Sequence, residues 1–124
     1  MTDSKLDAFK GQAYLNLETF RRNGEGVRTP VWFVEHEGRL YLRTRADAWK
    51  VKRIRRNPQV RAAPCDVQGK LLGGWVEGRA RVLSESEAEF ISRLARQKYG
   101  FRKTFFDLLN KLLRHSWVVI EISL

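Results

Sequence analysis

Two short turn signals near the start of the chain constrain its fold most. Asn23-Gly24 separates the apolar, β-branched run 13–20 from the run 27–34, and Glu37-Gly38 separates the second run from 40–44. Asn-Gly between such runs is the strongest local signal of a β-hairpin, and Glu-Gly is a weaker one. We therefore expect three consecutive antiparallel strands.

Three further runs are typical of strands. They are Gln59–Pro64, the alternating stretch Trp75–Leu83 and the apolar run Trp117–Ile122. Pro30 lies inside the second run and cannot donate to a strand ladder, so we expect an edge position or a bulge there.

Helical signals interrupt the strands. Asp47 is a good N-cap and Asn57-Pro58 prevents continuation, which predicts a short helix over 47–56. The hydroxyl-rich acidic stretch 84–87 predicts the start of a second helix. A break at Tyr99-Gly100 precedes a third, whose apolar residues recur from Phe101 to Leu113.

The order of these elements favours one fold class. Strands and helices do not alternate as in a parallel doubly wound sheet, and barrel closure removes exposed sheet edges. A chain of 124 residues has the size of one domain. We predict a single domain over 1–124, mainly β with short helices (α+β), built as a six-stranded antiparallel barrel.

Composition excludes several functional classes. Cys65 is the only cysteine, and it and the two histidines, His36 and His115, form neither a disulfide nor a zinc site, so we expect no metal. No apolar run exceeds four residues, and the first residues lack the pattern of a signal peptide. We expect a cytoplasmic protein with no membrane partner.

What the net charge of +10 means for function depends on where the basic residues lie in the fold. Five of the seven residues from Lys50 to Arg56 are basic, but Val51 and Ile54 between them need a core to face. The run is therefore interpreted as the solvated face of an amphipathic helix. No zinc finger, KH loop or RNP pattern accompanies it, so a nucleic-acid partner is not expected.

The junction between the third strand and the first helix predicts an anion site. The first backbone N–H groups of a helix lack partners and, together with the helix dipole, bind phosphate. Thr44 adds a hydroxyl group and Lys50 adds a charge in the first helical turn. The alternative interpretation is an ordinary junction with a surface lysine.

The segment Thr29-Pro30-Val31-Trp32-Phe33 combines a proline with two aromatic residues. An interrupted ladder there leaves main-chain groups available to the edge of a planar heterocycle. Alternatively, Trp32 and Phe33 are core or subunit-contact residues. No motif of a P-loop, a nucleophile elbow or a dinucleotide-binding fold is present, and no catalytic residue is nominated.

Together these stretches resemble the pyridoxamine-phosphate-oxidase-like split β-barrel proteins, and most of all a branch of F420-dependent oxidoreductases. The resemblance depends on the order of Thr29–Phe33, the spacing of Thr44 and Lys50, Arg55–Pro58, Ala63–Asp66 and Trp75–Ala80. It implies a homodimer with a cofactor at the subunit interface, contacted by both chains. By position, Thr44 and Lys50 would contact the cofactor phosphate, and Thr29, Pro30, Val31 and Trp32 would lie along its ring.

The resemblance also implies a reaction, the transfer of a hydride between the deazaflavin F420 and a small organic substrate. In flavin-binding relatives Ser and Arg precede the lysine, whereas Ala48 and Trp49 stand here, which weakens an FMN interpretation. The F420 tail would meet some of the nearby basic residues, namely Arg45, Lys52, Arg53, Arg55 or Arg56. The alternatives are an FMN-binding oxidoreductase and a non-enzymatic protein that binds nucleic acid or holds the cofactor.

Overall fold

A computed structural model describes residues 3–99 and 117–124. Within these residues the protein is mainly β, with three short helices. In chain order the elements are α1 (Asp3–Asp7), β1 (Tyr14–Phe20), β2 (Gly26–Trp32), β3 (Val34–His36), β4 (Arg39–Arg45), α2 (Trp49–Arg56), β5 (Gln59–Cys65), β6 (Val76–Val82), α3 (Glu85–Tyr99) and β7 (Trp117–Ser123). None of the helices described is long and apolar enough to cross a bilayer.

The strands form one curled antiparallel sheet in the order β2-β1-β5-β6-β7-β4-β3. Both predicted hairpins are present, β1 with β2 and β3 with β4. The expected count of six strands is wrong, because the run 27–34 divides at Phe33 into two strands on opposite edges of the sheet. Since one residue joins the two edges, the sheet must curl into a half-barrel.

The core lies inside this half-barrel. Its fully buried side chains come from alternate positions of the strands, as the two-residue period requires, and include Leu15, Leu17, Leu40, Leu42, Val60, Ala62, Ile120 and Ile122. Pro30 lies on the edge strand β2, as predicted, because an edge position leaves its missing N–H without consequence. Cys65 is a buried residue, as expected, and burial raises the pKa of its thiol.

Helix α2 covers one open end of the half-barrel. It buries Val51 and Ile54 in the core and ends before Pro58, as predicted. The predicted N-cap Asp47 is wrong: the cap is Ala48, in extended conformation and without a side-chain cap bond. Asp47 instead accepts two hydrogen bonds from Arg45, at 3.1 and 2.9 Å, which removes its carboxylate from the helix end.

Helix α3 begins as the acidic, hydroxyl-rich stretch predicted. The amide of Ser84 donates to Glu87 Oε1 over 3.3 Å and the amide of Glu87 donates to Ser84 Oγ over 3.5 Å, which is a capping box. The predicted third helix, 101–113, and His115 lie outside the described residues.

A candidate anion-binding site at the start of the second helix

The candidate site is the junction where β4 ends and α2 begins. Three residues, 46–48, connect the two elements. The amide of Ala48 donates to the carbonyl of Arg45 over 3.1 Å, and the Arg45 side chain holds Asp47. The junction is therefore a fixed turn.

The first backbone amides of α2 point out of this turn without acceptors. The amide of Val51 donates to the carbonyl of Ala48 over 3.1 Å, but those of Trp49 and Lys50 donate to no other described residue. Unsatisfied N–H groups at a helix start carry partial positive charge and attract anions. The helix has no acidic residue in its first turn to satisfy them.

Lys50 adds a full charge beside these amides. Its side chain is half-buried, and it makes no ion pair or hydrogen bond with any residue that the structure describes. Burial, followed by repulsion from Arg53, lowers the pKa of its ammonium group. A half-buried cation that lacks a counter-ion is costly to the apo protein and is neutralised by a bound anion.

Thr44 lies on the inner face of the half-barrel. It is 7% exposed, and its cross-strand neighbour Val118 packs against the core. Thr44 and Lys50 thus flank the turn from the strand side and the helix side.

The predicted ring segment on β2 is divided between the two faces of the sheet. Thr29 and Val31 pair with core residues of β1 and face inward, and Val31 packs on the same core as Ala48. Pro30 and Trp32 face outward, and the Trp32 ring lies 6.0 Å from that of Tyr14. Thr29 and Val31 therefore lie on the same inner face of the sheet as Thr44. Pro30 and Trp32 lie on the opposite face and are connected to Thr29 and Val31 only through the backbone of β2.

The basic residues around the junction have different roles. Arg45 is held by Asp47, Arg53 donates to Thr19 Oγ1 over 2.7 Å, and Arg56 donates to the carbonyl of Phe20 over 2.8 Å. The Lys52 ammonium lies 4.5 Å from the centre of the Trp49 ring. Arg55 has no such partner in the described part of the chain.

The sequence analysis considered Trp49 only as a residue that stands in place of an arginine of flavin-binding relatives. In the structure it is 70% exposed, which is unusual for a tryptophan. The sequence signal was its position: residue 49 lies on the opposite side of α2 from Val51 and Ile54.

Two clefts lined by residues that the structure describes lie elsewhere on the molecule. One of about 640 Å³ lies between α2, β6 and the start of α3, and one of about 410 Å³ lies beside the β1–β2 turn. Neither is lined by Thr44 or Lys50. The described residues contain no cluster of three or more metal-binding side chains.

Comparison with known proteins gives the fold a family context. The family model for pyridoxamine 5'-phosphate oxidase matches residues 1–123. No curated protein matches the sequence significantly.

Solved structures of similar fold belong to diverse proteins. A conserved hypothetical protein of Mycobacterium tuberculosis has a TM-score of 0.71 at 19% identity, covering 98% of this chain and 79% of its own. The heme storage protein HutZ of Vibrio cholerae has a TM-score of 0.70 at 12% identity, covering 97% and 87%. An F420 reductase has a TM-score of 0.58 at 18% identity, covering 94% and 90%. At these identities the likeness establishes the split-barrel fold.

Proposed function

Since the chain belongs to the pyridoxamine 5'-phosphate oxidase family, we propose that it is an F420-dependent oxidoreductase whose Thr44–Lys50 junction binds the phosphate of the cofactor. The observation that carries this proposal is the half-buried Lys50 ammonium, which has no counter-ion among the described residues. A bound phosphate would neutralise it and would accept hydrogen bonds from the two free amides at the start of α2.

The residues present fit such a group. Thr44 offers a buried hydroxyl, Lys50 a charge, and the amides of Trp49 and Lys50 two backbone donors. By the family resemblance, β2 from Thr29 to Trp32 would lie along the ring system, and β2 is an edge strand of the sheet. When bound, the reduced deazaflavin supplies the hydride for the small organic substrate, and the chain fixes its orientation and excludes water.

F420 is favoured over FMN by the residues before the lysine. Ala48 packs on the core and Trp49 faces solvent, so neither supplies the hydroxyl or guanidinium group that an FMN phosphate receives in flavin-binding relatives. The acidic tail of F420 would find Lys52 and Arg55 on the same helix, neither of which has a carboxylate partner in the described structure.

A second copy of the chain would complete the site. Lys50 is half-buried and has no counter-ion among the described residues, and neither of the two clefts described above is lined by it. We therefore propose a homodimer in which the partner covers the junction and the cofactor lies between the subunits. Sedimentation of the purified protein measures this assembly directly.

The decisive experiment is a titration of the purified protein with F420, followed by the intrinsic fluorescence of the cofactor. We expect saturable binding that Lys50→Ala weakens by about 1–3 kcal/mol, because a charge-assisted contact is lost. Arg93→Ala is the matched control, because Arg93 is an exposed cation on α3 that has no carboxylate partner within the described chain. Absence of binding at tens of micromolar would reject the proposal.

The same purified protein distinguishes the proposed function from two alternative functions. A yellow protein with a flavin absorbance band would indicate FMN. Tight F420 binding without consumption of the reduced cofactor in the presence of candidate acceptors would indicate a protein that holds the cofactor and does not turn it over.

A further inference from the structure

The structure assembles a basic surface that the sequence does not show. It consists of the outward face of α2 and the neighbouring β1–β2 turn, with Arg21, Arg22, Trp49, Lys52, Arg53 and Arg56. Arg53 and Arg56 reach across to Thr19 and the carbonyl of Phe20, so the helix and the hairpin are joined at this surface.

Most of the charges of this basic surface are not neutralised. Arg21 pairs with Glu25 at 3.4 Å, but Arg22, Lys52, Arg53 and Arg56 have no carboxylate partner among the described residues. Burial, followed by repulsion from Arg21 and Arg56, lowers the pKa of Arg53. Arg53 and Arg56 donate to neutral acceptors, a hydroxyl group and a carbonyl group, so these hydrogen bonds orient the two guanidinium groups without cancelling their charge.

Trp49 adds a flat apolar surface to this field. Its ring is 70% exposed, and the Lys52 ammonium lies 4.5 Å from its centre. The other large apolar side chains found exposed, Val67, Leu71, Leu72 and Phe90, belong to the β5–β6 loop and to α3. One aromatic ring among cations suits a nucleobase with flanking phosphates better than a lipid surface, which needs several apolar side chains.

We propose that the basic surface binds single-stranded nucleic acid, with phosphates on the unpaired cations and a base stacked on Trp49. This interaction goes beyond the proposed oxidoreductase function. The basic surface shares Lys52 with the proposed site of the F420 tail, so the binding assay is carried out without F420, and either proposal can then fail without the other.

The test is fluorescence anisotropy with a fluorescein-labelled oligothymidylate about 15 nucleotides long, which is the span of a small single-strand-binding domain. We expect the logarithm of affinity to fall with the logarithm of salt concentration with a slope of about −2.8, because each of the four unpaired cations contributes about 0.7. The double variant Arg22→Gln/Lys52→Gln should reduce that slope by about 1.4 and weaken binding roughly tenfold at about 0.1 M salt. Neither residue anchors the helix by a hydrogen bond.

Trp49→Ala should weaken binding about 5- to 150-fold, which is the range for loss of one stacked base. Arg55→Gln is the matched control. Arg55 is an exposed cation of the same helix, but it lines the cleft beside Pro58 and Ala80 and is not part of the basic surface.

Three results would overturn the proposal. The first is absence of binding at low salt. The second is a loss with Arg55→Gln as large as with Arg22→Gln or Lys52→Gln alone, since this would indicate diffuse attraction by the net charge. The third is displacement of the oligonucleotide by phosphatidylglycerol vesicles through the same residues at lower concentration, which would assign the surface to a lipid headgroup layer.

Discussion

The ammonium group of Lys98 donates a hydrogen bond to the carbonyl oxygen of Phe33 over 2.8 Å, at the residue where the chain passes from one sheet edge to the other. It also donates to the carbonyl of Gln12 over 2.9 Å and lies 4.1 Å from the centre of the Phe33 ring. Helix α3 is thereby joined to the point where the half-barrel divides. The chain segment at Phe33, which joins the two sheet edges, is therefore held by a side chain that is distant in sequence.

Replacing this lysine tests that link. We expect Lys98→Met to lower the free energy of unfolding by about 1–3 kcal/mol, because charge-assisted hydrogen bonds to two carbonyl groups are lost. Urea denaturation gives the value, and hydrogen exchange of β3 should increase. Arg93→Met, at an exposed position of the same helix, should change neither.

Lys50 should reduce the stability of the cofactor-free protein. Its pKa is lowered by burial and by Arg53, so its charged form is disfavoured in the folded state. Lys50→Met should therefore raise the free energy of unfolding at neutral pH by about 0.5–1 kcal/mol. The difference should vanish as pH rises through the lowered pKa toward the ordinary value of 10.5, since the native lysine then loses its charge too.

Urea denaturation of both proteins in a pH series measures this effect. Lys5→Met, at an exposed position of α1, should give no gain. If the Lys50→Met protein is less stable than wild type at neutral pH, the claim that the half-buried charge of Lys50 is uncompensated is wrong.

Glu87 should stabilise the protein in a defined pH range. Hydrogen bonds from Arg81 and then from Ser84 lower the pKa of its carboxyl group from 4.5 to about 2. The stabilisation is complete above the unfolded value and is lost as pH falls through the folded value. Glu87→Gln should therefore melt at a lower temperature than wild type at neutral pH, and the gap should close between pH 4.5 and about 2.

Thermal melting across that range, with Glu89→Gln as the exposed control on the same helix, tests the assignment. If the difference in melting temperature between wild type and Glu87→Gln is unchanged at pH 2, the capping box acts without the carboxylate charge.

Gly78 should not tolerate a side chain. A Cβ there would lie 2.8 Å from the carbonyl oxygen of Ser123 and 3.3 Å from Ile122 Cγ2, and backbone cannot move aside as a flexible side chain can. Gly78→Ala should cost about 1–3 kcal/mol of unfolding free energy. At Gly74 no atom lies within 4 Å of such a Cβ, so Gly74→Ala should be neutral or slightly stabilising. Equal costs in urea denaturation would refute the steric argument.

The local elements of secondary structure could be predicted from the amino-acid sequence. Both hairpins follow from their Gly-containing turns, and α2 follows from the apolar spacing of Val51 and Ile54 and from the proline after it. These signals act over a few residues, so they can be read without knowing what packs on them. The position of Lys50 in the first turn of α2 was predictable for the same reason.

Features that depend on neighbours distant in the chain could not be predicted in this way. The division of one strand at Phe33 follows from the closure of the curled sheet, and Ala48 replaces Asp47 as the cap because Arg45 holds the aspartate. The half-burial of Lys50 and the hydrogen bond from Arg53 to Thr19 also arise only when α2 docks on β1. Burial and electrostatic fields depend on distance in space, and spacing along the chain does not encode that distance.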